Sequence, residues 1–241
     1  MHKLLLFLWI SLGWLCPSRG QLDTLRLEAQ AFDRTVTIYL QDNAPGKAKE
    51  SILYFTDGQK MIKNGFLEQL KALQDDKQMP PAYLVFVSTI DEATGIDYRN
   101  DYFFCNPDYL SFFERTLIPR VEKRLGRSFE PRERSLLGIS FGGLNAAYFA
   151  AESRQFESYV LLSPVTYPCE SLNTKVALSS RKNLNLFIST GTHDAEGYVK
   201  PLLALFESKN YRTRFLQTSG GHDFANWLGQ MEEVIGFLVG K

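Results

Sequence analysis

Apolar and polar residues alternate along Thr24–Ala31 and again along Thr35–Leu40, on either side of Phe32-Asp33-Arg34. A period of two marks strands with one covered face, and this pair predicts an antiparallel hairpin at a sheet edge. Further along the pattern changes. Ala82–Ser88 is apolar almost throughout, as a parallel strand covered on both faces requires. Ser51–Thr56, Arg134–Ile139, Ser158–Leu162, Leu184–Ser189 and Thr213–Gln217 read as further strands. Between them lie helical stretches. Met61–Gln74 places Ile62, Phe66, Leu67, Leu70 and Leu73 on one face, and Tyr109–Leu125 stops at Gly126. Phe141–Glu152, Gly197–Ser208 and a last segment reaching Leu238 complete the set. Strands alternating with helices after one hairpin predict an α/β fold, with a mainly parallel sheet and helices on both faces. Residues 21–241 are expected to form one domain without a separate lid. The loops at 90–107 and 164–175 are placed to cover part of a site.

Residues 1–20 stand apart from this pattern. His2-Lys3 is basic, Leu4–Leu15 is apolar, and Pro17-Ser18-Arg19-Gly20 closes with small residues, which predicts a secretory signal cleaved after Gly20. The expected product is secreted or periplasmic, without a membrane span. Loss of Lys3 and Arg19 leaves the basic residues two short of the 27 acidic ones, a balance that advertises no nucleic acid partner. Of three cysteines, Cys105 and Cys169 remain in the mature chain. In an exported protein such a pair is a candidate disulfide, and the sequence leaves open either a bridge or two thiols.

The chemistry concentrates at Gly138-Ile139-Ser140-Phe141-Gly142, a G-x-S-x-G turn between a strand and a helix of small residues. Such a turn lifts the serine hydroxyl above the sheet at a helix N-terminus. Serine needs a base, usually a histidine held by a carboxylate. With His2 in the leader, only His193 and His222 remain. The order serine, acid, histidine selects His222 as base and Asp194 as acid, with Glu196 the competing carboxylate. Gly220-Gly221 before His222 is read as a loop carrying the imidazole over the strand ends. An oxyanion needs two N–H donors. The backbone of Phe141 supplies one, and that of Gln59, after the first parallel strand, is expected to supply the other. No metal-ligand spacing is present, and no cofactor is called for.

Leu53-Tyr54-Phe55-Thr56-Asp57-Gly58, the Ser140 turn, Ser163-Pro164, Gly191-Thr192-His193-Asp194 and Gly220-Gly221-His222-Asp223-Phe224-Ala225-Asn226-Trp227 together resemble the esterase-D-like branch of the α/β-hydrolases. That branch includes enterochelin (siderophore) esterases, feruloyl esterases, S-formylglutathione hydrolase and mycolyltransferase antigens. The resemblance covers about residues 30–240 and implies the same nucleophile, acid, base and backbone donors. Arg99-Asn100-Asp101-Tyr102 looks like the family's arginine segment before the substrate pocket. Arg99, Tyr102, Tyr167 and Trp227, with Tyr98 and Phe103, are expected to line the approach of a small-molecule or saccharide-linked ester, aromatic, feruloyl or catecholate. An acyltransferase and a silent binding protein are the alternatives. No oligomeric state is read.

Overall fold

The computed structural model describes residues 22–240; the leader expected over 1–20 lies outside them. Strands β1 (Asp23–Ala29) and β2 (Arg34–Asp42) form the expected antiparallel hairpin, with Leu25 opposite Ile38 and Leu27 opposite Val36. They edge an eight-stranded sheet ordered β1-β2-β4-β3-β5-β6-β7-β8. Its other strands are β3 (Ser51–Phe55), β4 (Ala82–Val87), β5 (Arg134–Ile139), β6 (Ser158–Leu162), β7 (Asn185–His193) and β8 (Arg212–Gly221). From β4 onward across the sheet every pairing is parallel.

Alternate side chains feed two cores. Tyr54, Leu136, Tyr159 and Ile188 pack on the face covered by α6 (Phe141–Glu152), α7 (Leu172–Leu178) and α8 (Glu196–Glu207). Phe55, Phe86, Leu137 and Phe187 pack on the other, under α1 (Gly58–Lys63), α2 (Phe66–Asp75), α9 (Phe224–Leu228) and α10 (Met231–Leu238). The continuous apolar strands are the ones buried from both sides.

Several boundaries depart from the periodicity. The helix expected over Met61–Gln74 is two helices, because Gly65 turns with φ +88° between α1 and α2. The 90–107 loop holds a short helix, α3 (Arg99–Phe103), and residues 107–125 form α4 (Pro107–Phe112) and α5 (Ile118–Leu125) joined by a π turn. That wider turn admits Pro119 without a break, since proline offers no N–H to an α-helical ladder. Strands β7 and β8 outrun their expected ends, to His193 and Gly221. Gly220 and Gly221 therefore belong to a strand and not to a loop. A Cβ on Gly191 would lie 1.9 Å from the carbonyl oxygen of Gly220, so the pair lets β7 and β8 approach closely.

Candidate active site

The glycines of the elbow are required by space. A Cβ at Gly138 would sit 1.9 Å from the Gly142 carbonyl oxygen, and one at Gly142 would sit 2.5 Å from Thr56 Oγ1. Ser140 between them holds φ +56°, a region that L-residues avoid unless their surroundings impose it. Its hydroxyl meets His222 Nε2 at 2.9 Å. On the far side of the ring, Nδ1 hydrogen-bonds to Asp194 Oδ1. The Asp194 side chain is 1% exposed and that of His222 40%, so a buried carboxylate faces an imidazole open to solvent. Asp194 Oδ2 also accepts from the Ser163 hydroxyl and, at 3.3 Å, from the Gly191 N–H. Glu196, the competing carboxylate, turns away to Lys200 and Gln217.

The structure thus brings together Ser140, His222 and Asp194 from three strand ends. Phe141 opens α6 and Gln59 lies in the first turn of α1, positions whose N–H groups have no carbonyl one turn back. The Gln59 side chain is fixed at both ends to Thr89, its Nε2 donating at 2.7 Å and its Oε1 accepting at 3.0 Å. Gly58, just before Gln59, packs on β4: a Cβ there would lie 2.5 Å from the Phe86 carbonyl carbon.

The residues expected at the approach divide. Arg99 Nε donates to both oxygens of Asp57, at 2.8 and 2.7 Å, and Nη2 to the Ile139 carbonyl at 3.2 Å. It ties the end of β3 to the residue before Ser140. Burial pushes the Asp57 carboxyl up, against the opposing pull of Arg99 and Lys60. Tyr102 does not reach the site. It is 2% exposed and stacked on Tyr109 at 4.6 Å, because α3 turns its apolar face into the core. Phe103 is likewise buried, and Tyr98 lies under the Arg34 guanidinium. Tyr167 is 63% exposed and packs edge-on against Phe141, with Tyr198, unforeseen from the sequence, beside it at 6.0 Å. Trp227 is only 4% exposed and meets the His222 ring edge-on at 4.8 Å. A cavity of about 210 Å³ opens at Ser140, lined by Lys60, Met61, Arg99, His222, Phe224 and Trp227.

Cys105 and Cys169 form a disulfide, Cα to Cα 5.9 Å, which joins the loop after α3 to the loop after β6. Each of these loops sets a ring edge-on to Phe141, Phe104 at 5.0 Å and Tyr167 at 5.9 Å.

The chain is 24% identical over 240 residues to the iron(III) enterobactin esterase of Escherichia coli O6:H1, a match taking in 90% of this chain and 57% of that protein. It superposes on the crystal structure of the enterobactin esterase FES from Shigella flexneri in the presence of enterobactin with a TM-score of 0.81. Identity there is 22%, with 94% of this chain and 61% of that one covered. A ferulic acid esterase superposes with a TM-score of 0.73 at 15% identity, over 90% of this chain and 97% of that one. The chain therefore spans about three fifths of the length of the enterobactin esterases it matches and nearly all of the feruloyl enzyme. These structures share its α/β-hydrolase fold, in the form found among enterochelin esterases. Residues 29–238, nearly the whole described length, match the family model called Putative esterase, and the chain belongs to that family.

Proposed function

We propose that this protein is a serine carboxylesterase exported from the cytoplasm. The observation that carries the reading is the contact of Ser140 Oγ with His222 Nε2, while Asp194 holds the other ring nitrogen. His222 takes the hydroxyl proton as Ser140 attacks the ester carbonyl, and the N–H groups of Phe141 and Gln59 receive the oxyanion. The tetrahedral intermediate collapses, the imidazolium protonates the departing alkoxide, and an acyl-enzyme remains. Water deprotonated by His222 then releases the acid and restores Ser140.

The exposed rings of Tyr167 and Tyr198 beside Phe141 suit an ester with an aromatic limb, feruloyl or catecholate, as the names of the relatives suggest. The Cys105–Cys169 bridge supports an oxidising compartment, in keeping with the signal read over residues 1–20. Ser140→Ala is expected to cut turnover of aryl esters by about 10⁴-fold or more, and fluorophosphonate labelling is expected to disappear with it. Full turnover by Ser140→Ala would refute the mechanism.

A further inference from the structure

Four neighbouring parallel strands, β5, β6, β7 and β8, each end one residue before a polar side chain of the site. Three of those residues are Ser140, Asp194 and His222. The fourth is Ser163, after β6, and the reaction described above gives it no role. Its surroundings are specific. Ser163 is fully buried and holds φ +46°, another left-handed position taken by a residue other than glycine. Its Oγ accepts from Trp227 Nε1 at 2.8 Å and stands in hydrogen-bond contact with Asp194 Oδ2.

The direction of this chain follows from valence. An indole N–H can only donate, and an ionised carboxylate can only accept. The Ser163 hydroxyl must therefore accept a hydrogen bond from Trp227 and donate one to Asp194. Hydrogen bonds in series polarise one another, so the indole strengthens the donation that reaches the carboxylate. Trp227 also sets its ring edge-on to His222, so one side chain braces the imidazole directly and its acid partner through Ser163.

We propose that Ser163 and Trp227 are positioning residues. They hold the Asp194 carboxylate so that its other oxygen faces His222 Nδ1, and they draw off part of its negative charge. Trp227, expected from the sequence to touch substrate, lines the cavity at Ser140 with its ring and turns its indole N–H to Ser163. No proton leaves Ser163 in this scheme. The effect on rate rests on the esterase reading, whereas the effect on the hydrogen bond between His222 and Asp194 does not.

The test is Ser163→Gly, since glycine accepts the left-handed backbone while removing the hydroxyl. The proton on His222 Nδ1 is followed by NMR without substrate, its signal assigned by its absence in His222→Gln. Losing one donor concentrates charge on Asp194 and tightens its bond to the imidazole. The signal is therefore expected to move downfield in Ser163→Gly, and to move less, in the same direction, in Trp227→Phe. With an aryl ester, kcat is expected to fall about tenfold to a hundredfold, the loss of one charge-assisted hydrogen bond, while KM stays within about twofold. A signal that stays put or moves upfield in both folded variants overturns the proposal, whatever the rates. Should Ser140→Ala keep its turnover, the esterase reading fails and the NMR result still decides the role of Ser163.

Discussion

The strand-end side of the site and its rim are built by different means. Ser140, Ser163, Asp194 and His222 each follow the last residue of a strand, and the ladders of β5 to β8 hold their backbones in register. Adjacent strands lie about 4.8 Å apart, so neighbouring ends fall within side-chain reach of one another, while the 2.9 Å contact of Ser140 with His222 also needs the backbone past β5 and β8 to close a gap of three strand intervals. The rim has no such ladder. Residues 88–106 and 164–171 are secured by side chains: Gln59 to Thr89, Asp97 to Lys60, Arg99 to Asp57, and the Cys105–Cys169 bridge. The residues placed for chemistry sit on the sheet, while the rim around them sits on tethers that can vary.

That contrast can be broken at its strongest point first. Asp194→Asn leaves the strand intact but can no longer hold the imidazole in the tautomer that accepts the Ser140 proton. Turnover is expected to fall by about 10⁴-fold, whereas Glu196→Gln stays near the parent rate. Equal losses in the two would mean that the acid is wrongly assigned.

The tethers come next. Cys105→Ser with Cys169→Ser opens a loop whose ends are 64 residues apart. A stability loss of about 2–4 kcal/mol is expected by denaturant unfolding. KM for an aromatic ester should rise more than kcat falls, because the loops around Phe141 loosen while the strand ends do not. A fall confined to kcat would show that the rim also sets the nucleophile.

The smallest effect concerns Asp97. Its environment holds the carboxyl below the usual range: partial burial opposes, but the Lys60 ammonium, the Thr89 hydroxyl and the Arg99 N–H outweigh it. A depressed carboxyl stabilises the fold above its unfolded pKa and loses that contribution as pH falls through the folded one. Asp97→Asn should therefore cost under about 1 kcal/mol at neutral pH, the pair being partly exposed. The difference from the parent should begin to shrink below about pH 4, the unfolded value, and vanish only once the pH lies below the depressed folded-state value. A penalty that persists there would mark Asp97 as a packing residue.

Much of the sheet side was legible in the chain. Period-two alternation gave the hairpin, unbroken apolar runs gave the buried strands, and the G-x-S-x-G turn with the order serine, aspartate, histidine picked out Ser140, Asp194 and His222. These signals are local, or depend only on chain order. The rim was read less well. Tyr102 and Trp227 are aromatic residues in the right neighbourhood, yet Tyr102 turns inward onto Tyr109, and Trp227, though it lines the cavity, is nearly buried and bonded to Ser163. Arg99 lies at the cavity but is bound to Asp57. Tyr198 gave no sign in the sequence, because its value comes from lying beside Tyr167, 31 positions away.

The amino-acid order by itself therefore determined the alternation of strands and helices, the sharp turn at Ser140 and the identity of the groups that follow each strand. Those are consequences of side-chain period, glycine sterics and succession along the backbone. Only the tertiary structure decided which of two nearby carboxylates faces the imidazole, whether two distant thiols meet, and which aromatic rings face solvent. Each of those outcomes depends on the packing of segments far apart in the chain, and burial favours whichever neighbour fits, which no local pattern encodes.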